Sequence, residues 1–183
     1  MRYFYSGIFY IFNTFLYLCE LIYIGMERIA IFPGSFDPFT RGHKAIVDES
    51  LGLFDRVIVA IGVNTQKRGM LTPEARKRLV EEVFRGEERV EVVTYTSLTG
   101  DLARELGAGT IIRSVRNATD FEYERTMERA NRHIFPELKT VILLAPAEVE
   151  HISSSLVREL RAFGHDVAEL MPEGVVLEDY LKD

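Results

Sequence analysis

The sequence predicts an α/β domain built on a five-stranded parallel sheet with helices on both faces. From residue 28 onward, short apolar runs alternate with segments of helical periodicity, which is the pattern of successive βαβ units. One run, Val57-Ile58-Val59-Ala60-Ile61, lacks the polar alternation of a half-exposed strand and is typical of a strand covered on both faces. The sequence contains no repeats, low-complexity tracts or internal linkers, so we expect one domain.

Five short apolar runs are predicted to be strands, because turn-forming or polar residues lie at the ends of each run. The first, at 28–32, is stopped by Pro33-Gly34. The other four are the runs at 56–63, 90–94, 110–112 and 140–144. Together with the helices between them, these strands predict a Rossmann-like sheet.

The helices between the strands have recognisable starting signals. Thr72-Pro73-Glu74 supplies an N-cap, a proline at the first helical position and an acid in the first turn, and it begins a helix that runs to Gly86. Thr119 and Glu122 fit a capping box for a helix that stops before Pro136. The remaining helices are predicted at 44–54, 98–106, 153–163 and 178–182.

Composition excludes some partners. The 183 residues carry a net charge of −6, without the basic excess of a nucleic-acid-binding protein, so an anionic ligand needs a local basic cluster. The single cysteine, Cys19, cannot form an internal disulfide, which indicates a reducing, cytoplasmic setting.

The first 25 residues differ from the rest, because 3–19 carry no charge and are crowded with large apolar side chains. A membrane span, a signal peptide and an over-extended start are the three interpretations. We favour true initiation at Met26, directly before the first strand, since nothing after it looks secreted. The predicted organisation is an apolar extension at 1–25, an anchor being the alternative, and a domain at 26–183.

Ligands of such sheets bind beyond the carboxyl ends of the strands, which brings the loops 33–43, 62–71, 95–99, 113–119 and 145–155 around one pocket. Two of these loops are strand-to-helix turns that expose backbone N–H groups, as in a phosphate site. One ends in Thr40-Arg41-Gly42-His43 and the other contains Ser153-Ser154-Ser155. Taken alone, the first motif also fits a capped helix with a surface histidine, but the preceding Gly-Ser-Phe-Asp-Pro favours chemistry at a phosphate.

Several motifs occur in one order along the chain. They are Phe32-Pro33-Gly34-Ser35-Phe36-Asp37-Pro38, Thr40-Arg41-Gly42-His43, Lys67 before Met70-Leu71-Thr72, Ile112-Arg113-Ser114-Val115-Arg116, Asp120-Phe121-Glu122-Tyr123-Glu124, Asn131-Arg132-His133, Pro136-Glu137-Leu138 and Ile152-Ser153-Ser154-Ser155-Leu156-Val157-Arg158. From about Met26 to Gly174 the chain thereby resembles the phosphopantetheine adenylyltransferase family of the nucleotidyltransferases with a (His/Thr)-x-Gly-His signature.

The resemblance implies transfer of AMP from ATP to 4′-phosphopantetheine, which gives dephospho-coenzyme A and pyrophosphate in coenzyme A biosynthesis. It also implies Mg²⁺ held mainly by phosphates and waters, since the sequence shows no dedicated cluster of metal ligands. A cytoplasmic homo-oligomer, a hexamer, follows from the same resemblance, with neither nucleic acid nor a membrane as partner.

The resemblance assigns roles to individual residues. His43 is the catalytic residue and hydrogen-bonds the α-phosphate. The acceptor is bound by Ser35, Lys67, Thr99 and Arg113. ATP is bound by Ser35, Phe36, His43, Ser114, Val115, Arg116, Glu124, Val149, Glu150, His151, Ile152, Ser153, Ser154 and Ser155.

One position departs from the family pattern, because Ser114 stands where glycine is usual. A serine there is expected to narrow the adenine pocket or to force a different backbone angle. Two other functions remain open: a nucleotidyltransferase for a nicotinamide- or glycerol-phosphate-type acceptor, and a membrane-tethered, non-catalytic nucleotide-binding module. Lys67, Arg113 and the block from Phe121 to His133 argue against the other acceptors. The set of charged site residues argues against the module, since a mere binder needs no clamps for an acceptor.

Overall fold

The computed structural model describes residues 27–64, 66 and 68–181, and it confirms the α/β prediction. The strands form one parallel sheet in the order β3-β2-β1-β4-β5. Their bounds are Ile29–Gly34 for β1, Arg56–Gly62 for β2, Val90–Tyr95 for β3, Thr110–Val115 for β4 and Lys139–Leu144 for β5. The chain builds outward from β1 in one direction and then in the other, so the strand order switches between β1 and β4, where ligands of such sheets bind.

Five α-helices and two short 3₁₀ turns complete the described structure. The helices are α1 (Arg41–Ser50), α2 (Pro73–Val83), α3 (Thr99–Glu105), α4 (Ala118–Ile134) and α5 (Ser154–Ala162), and the turns are Ala168–Leu170 and Leu177–Tyr180. None of the helices within the described ranges has the length and apolar character needed to cross a bilayer.

Alternate residues of the central strands enter two separate cores. Val57 and Val59 of β2 pack in one core with side chains of α1, α2 and α5. Ile58 and Ala60 pack in the other, with side chains of α3 and of the segment that follows α4. Successive strand residues point to opposite faces, so helices on both faces explain the uninterrupted apolar run of β2.

Some predicted boundaries were wrong. Helix α1 begins at Arg41 rather than 44, because Thr40 is already its N-cap residue. The N-cap of α4 is Asn117, whose side chain accepts a 2.9 Å hydrogen bond from the Asp120 N–H, so the capping box predicted at Thr119 and Glu122 does not form. The Thr72 cap of α2 is confirmed, with its hydroxyl accepting from the Ala75 N–H at 3.1 Å.

Strand β4 is longer than predicted and ends at Val115 instead of Ile112. Arg113 and Ser114 look like loop residues by polarity, yet they pair in register with Ile142 and Leu143 of β5. Polar side chains at the carboxyl end of this strand therefore belong to the sheet and face its ligand edge. The predicted tail helix at 178–182 is a short 3₁₀ turn. The predictions for residues 1–25 lie outside the described residues.

Candidate active site

The main candidate site is a cavity of about 640 Å³ at the switch point between β1 and β4. The start of α1, the end of β4, the first turns of α4 and the start of α5 all contribute to it. Its lining includes Ser35, Gly42, His43, Ile46, Ser114, Arg116, Thr119, Asp120, Tyr123, Glu124, Ala145, Val149, Ile152, Ser153, Ser154, Ser155 and Arg158. The histidine, the arginine and the serine run predicted to meet at a phosphate thus open onto one cavity.

The turn after β1 is strained at Phe36, whose φ of 46° lies in the left-handed region that side chains other than glycine rarely adopt. The Phe36 ring is buried and lies edge-on to the Phe32 ring at 5.3 Å and to the His43 ring at 5.1 Å, between centroids. A Cβ on Gly34 would come within 2.7 Å of the Phe36 ring. Glycine at 34 and the buried ring together hold the strained turn, and only the backbone of Phe36 is free to face a ligand.

The His43 imidazole is held by the residue that caps its own helix. The backbone N–H of Thr40 donates to Nδ1 at 3.0 Å, and the Thr40 hydroxyl lies 2.9 Å from the same nitrogen. A backbone amide can only donate, so Nδ1 carries a lone pair and the proton of the neutral ring lies on Nε2. The edge of the ring away from Thr40 is therefore a hydrogen-bond donor.

Electrostatics keep this ring neutral. Burial, and then the positive charge of Arg116, lower the pKa of His43 from 6.5 to about 4. At physiological pH the ring offers a neutral N–H to a ligand and carries no positive charge, so the site's attraction for anions comes from its arginines and helix termini.

Gly42 lets helix α1 approach the loop before α5 closely. A Cβ at Gly42 would lie 3.2 Å from the carbonyl oxygen of Ile152 and 3.5 Å from that of Val149. Even a methyl group would press on the Ile152 carbonyl and require it to move by a few tenths of an ångström, so glycine allows the closest approach of the two loops.

The serine run joins the two loops and leaves the N-terminus of α5 facing the cavity. Ser153 caps α5 by accepting from the Leu156 N–H at 3.1 Å, and the Ser154 hydroxyl donates to the Pro38 carbonyl at 2.8 Å. Ser155 accepts from Nη2 of Arg158 at 3.0 Å. A helix N-terminus with its exposed N–H groups suits phosphate oxygens.

Carboxylates of α4 neutralise two of the predicted cations. Arg113 donates from Nε and Nη2 to the two oxygens of Glu124 at 2.6 and 2.5 Å, and from Nη1 to the Pro33 carbonyl at 3.2 Å. Arg116 pairs with Asp120 at 2.9 Å, and this hydrogen bonding lowers the pKa of the Asp120 carboxyl. Both guanidinium groups are thus oriented by an acid before any anion arrives.

Two further cavities adjoin the main one at the same edge of the sheet. One, of about 880 Å³, is lined by the segments 62–64 and 68–73 and shares Ser35 and Arg158 with the main cavity. The other, of about 190 Å³, contains Thr99 and Arg113. Of the residues predicted for the acceptor, Ser35 thus faces the larger of these two cavities and Thr99 and Arg113 the smaller, while Lys67 lies outside the described residues.

Some predicted ATP residues do not line the main cavity. Val115 is a buried residue of β4, and the Phe36 side chain belongs to the core. Glu150 and His151 are exposed on the loop before α5. Contacts of Val115 and Phe36 with a nucleotide are left to their backbones. Ser114 has no left-handed φ, so serine forces no special backbone angle there and only takes up room in the cavity.

Arg158 has a place in the site that the sequence did not predict, although the residue belongs to the motif Ile152-Ser153-Ser154-Ser155-Leu156-Val157-Arg158. Its Nη1 donates to the Asp37 carbonyl at 2.6 Å, and it lines both the main cavity and the 880 Å³ cavity. Within the described part of the chain it has no carboxylate partner, unlike Arg113 and Arg116. The available signal was spacing, since Arg158 follows Ser155 of the serine run by three residues, one helical turn.

The ionisable groups of the site suit phosphates better than a bare metal ion. The described residues hold no group of three or more His, Cys, Asp or Glu side chains placed to bind a metal. The two acids of the main cavity, Asp120 and Glu124, are occupied by arginines.

Comparison with known proteins points to one family. The Cytidylyltransferase-like family model matches residues 31–160. A protein of Porphyromonas gingivalis named phosphopantetheine adenylyltransferase is 47% identical over 152 residues, which cover 83% of this chain and 99% of that protein. Proteins of the same name from Flavobacterium psychrophilum and Latilactobacillus sakei are 47% and 45% identical, and the matches cover 97% and 96% of them.

Solved structures share the fold at low sequence identity. A protein provisionally described as a nicotinate-nucleotide adenylyltransferase from Vibrio parahaemolyticus superposes with a TM-score of 0.61 at 22% identity, over 86% of this chain and all of that one. A bifunctional NMN adenylyltransferase/ADP ribose pyrophosphatase from Francisella tularensis gives a TM-score of 0.62 at 18% identity, over 82% of this chain and 46% of that one. At such identities the likeness concerns the fold alone.

Proposed function

The chain belongs to the phosphopantetheine adenylyltransferases, within the cytidylyltransferase-like nucleotidyltransferases, and from this membership we propose how its site moves AMP from ATP onto 4′-phosphopantetheine. The products are dephospho-coenzyme A and pyrophosphate, so the protein is a nucleotidyltransferase of coenzyme A biosynthesis. The observation that carries the assignment of the site is the meeting of the His43 Nε2 edge, the N-terminus of α5 and three arginines at one edge of the sheet.

The reaction places few acid–base demands on the protein. An oxygen of the acceptor phosphate forms a bond to the α-phosphorus of ATP while the bond from that phosphorus to the α,β-bridging oxygen breaks, and pyrophosphate leaves with the electron pair. A phosphate monoester has a second pKa of about 6 and is largely dianionic at neutral pH, so no general base is needed. Catalysis then consists of aligning two anions and stabilising charge at the α-phosphate.

ATP fits the main cavity. The neutral His43 ring donates its Nε2–H to an α-phosphate oxygen, which costs none of the reorganisation that a charged, solvated group would require. The N-terminus of α5 and the side chains of Arg116 and Arg158 face the β- and γ-phosphates. Ser114, Val149 and Ile152 line the rest of the nucleotide.

The acceptor occupies the two adjoining cavities. Ser35, at the boundary between the main and the 880 Å³ cavity, contacts both reactants. Arg113 binds the acceptor phosphate, with Lys67 as the second clamp predicted from the sequence. The bidentate pair with Glu124 supports this role, because it holds the Arg113 guanidinium in one orientation.

Mg²⁺ enters as part of the nucleotide substrate. Magnesium commonly keeps several of its waters and binds through substrate phosphates. Binding through the phosphates suits this site, because Glu124 and Asp120 already pair with arginines.

A homo-oligomer in the cytoplasm, a hexamer by family resemblance, completes the proposal. Contact between subunits, though not their number or the compartment, is supported by large apolar side chains of α4 that are exposed in the single chain, namely Phe121, Tyr123, Met127 and Ile134. Sedimentation of the purified protein measures the number of subunits.

The experiment is a pyrophosphate-release assay with competing acceptors. ATP and Mg²⁺ are supplied with 4′-phosphopantetheine, nicotinamide mononucleotide or glycerol 3-phosphate, and the products are identified by mass spectrometry. We expect kcat/KM for 4′-phosphopantetheine to exceed the others by at least about 10²-fold, as for a site built around one acceptor. A preference for another acceptor, or binding of ATP without turnover, would overturn the proposal.

A further inference from the structure

A buried ion pair between Asp37 and Arg76 forms part of the wall of the 880 Å³ cavity. Asp37, from the turn after β1, and Arg76, from the first turns of α2, are both buried, with Nε of Arg76 3.4 Å from Oδ1 of Asp37. Buried charges are rare unless paired and hydrogen-bonded, so every partner of this pair is informative.

The Asp37 carboxylate fixes the backbone of the neighbouring loop. Its Oδ2 accepts from the Met70 N–H and its Oδ1 from the Leu71 N–H, each at 2.8 Å. Met70 and Leu71 line the 880 Å³ cavity, directly before the Thr72 cap of α2. The carboxylate therefore ties the cavity wall to the phosphate-binding turn.

The Arg76 guanidinium closes the same connection from the other side. Its Nε donates to the Leu71 carbonyl at 3.0 Å and its Nη1 to the Ser35 carbonyl at 3.2 Å. A Cβ on Gly69 would lie 1.8 Å from Nη2 and 2.9 Å from Oδ2 of Asp37. The side chain thus fills the space between the loop and the turn, and Gly69 allows the loop to lie directly against it.

These contacts surround the strained residue of the site. Arg76 donates to the carbonyl of Ser35, directly before Phe36, and Arg158 donates to the carbonyl of Asp37, directly after it, while Phe36 itself adopts the φ of 46°. A strained turn persists only where its surroundings hold it. The Phe36 ring of this turn packs against the His43 ring. Arg76 consequently reaches the catalytic geometry through Ser35 and Phe36 without facing the α-phosphate position.

We propose that Arg76 is a positioning residue for adenylyl transfer: through Ser35 and the segment 69–71 it sets the acceptor cavity relative to the cavity that holds His43. The inference rests on the proposed function, since it assigns the two cavities to acceptor and ATP. It adds a residue whose role is to keep two mutually repelling reactants in line. The planar fork of arginine matters, because Nε contacts Leu71 and Asp37 while Nη1 reaches Ser35, and a lysine would have to reach all three acceptors from a single nitrogen.

The test compares three variants of the full chain in the pyrophosphate-release assay. Arg76→Lys keeps the charge but loses the fork, Gly69→Ala displaces the guanidinium from an exposed loop position, and Lys77→Met removes an exposed cation one residue away as the control. For Arg76→Lys and Gly69→Ala we expect kcat/KM for the acceptor to fall by about 10²-fold, as for a misplacement of roughly 1 Å. The KM for the acceptor should rise by more than the KM for ATP, and Lys77→Met should match the wild type.

The split between kinetic constants separates positioning from folding. Thermal unfolding and circular dichroism report the folded fraction of each variant. If kcat falls only in proportion to the loss of folded protein, and both KM values stay unchanged, the inference is overturned. Wild-type values of kcat and of both KM constants in each of the two variants, Gly69→Ala and Arg76→Lys, would also overturn the inference. If Arg76→Lys does not fold, Gly69→Ala decides alone. A wild type that prefers another acceptor overturns the proposed function instead, and the same comparison with that acceptor then decides the role of Arg76.

Discussion

The backbone N–H of Thr40 donates to Nδ1 of His43 within the first turn of a single helix. The N-cap residue therefore sets the tautomer of the imidazole, and the chain determines before any ligand binds that Nε2 carries the proton. Burial of the ring keeps the pKa of His43 near 4, so this donor remains neutral while phosphates approach. In the proposed mechanism, the site thus combines a neutral donor at the reacting phosphate with cations at the periphery.

The first prediction concerns the titration of His43. In nitrogen-detected or carbon-detected NMR, its imidazole should remain in the neutral Nε2–H form down to about pH 5 and titrate near 4. Arg116→Met should raise the pKa of His43, since the Arg116 charge is one of its two causes. A titration midpoint near pH 6.5 for His43 in the wild type would show that burial does not lower the pKa of the ring.

Stability should depend on pH through the same ring. The folded pKa of about 4 lies below the ordinary 6.5, so the unfolded chain binds more protons between these values and folding stability falls as the pH is lowered through them. At pH 5 the loss attributable to His43 is about 2 kcal/mol. Urea unfolding of wild type and His43→Gln at pH 7 and pH 5 measures it, and an equal acid loss in both proteins would contradict the assignment.

Arg158 should contribute to ATP binding. Arg158→Met removes the cation of the main cavity that has no carboxylate partner among the described residues, and we expect the KM for ATP to rise about 10-fold or more, since a charged hydrogen bond contributes roughly 1.5–3 kcal/mol. Arg161→Met, one turn further along α5 at an exposed position, is the matched control. Initial-rate kinetics with varied ATP suffice, and an unchanged KM would exclude Arg158 from the phosphate site.

Ser114→Gly should have small effects. Ser114 lies in β4 without a left-handed φ, so glycine is not required by the backbone, and its introduction into a strand should cost roughly 0.5–1 kcal/mol of stability. The KM for ATP should fall by no more than a few-fold as the hydroxyl leaves the cavity. A large gain in ATP affinity on calorimetry would mean that the serine obstructs the nucleotide after all.

The predictable part of the fold came from local pattern. The uninterrupted Val57–Ile61 run required two covering layers, and Thr72-Pro73-Glu74 carried a complete helix start within three residues. Asn117 and Thr119 can both cap a helix, and the choice between them depended on how far β4 continues, which the partner strand β5 decides. Arg113 and Ser114 were assigned to a loop because polarity at the ligand edge of a strand resembles polarity in a turn.

The site residues could be predicted where they lie close together in one motif, but not where the contact joins residues that are far apart in the sequence. His43 and the serine run could be recognised because each belongs to a strand-to-helix turn with a characteristic sequence. The bond from Arg76 to the Ser35 carbonyl and the bond from Arg158 to the Asp37 carbonyl join segments far apart in sequence, and each uses a main-chain acceptor that every residue possesses. No residue pattern marks such an acceptor, so these roles required the fold.

The central claim is that the neutral His43 ring stabilises charge at the α-phosphate, and the most direct test is the rate of pyrophosphate release by His43→Ala. We predict that kcat falls by about 10²–10³-fold, as for loss of a transition-state donor, while the fold by circular dichroism is retained. His165→Ala, at an exposed position outside the three cavities described, should keep the wild-type rate. A His43→Ala enzyme that turns over within a few-fold of the wild type would contradict the account.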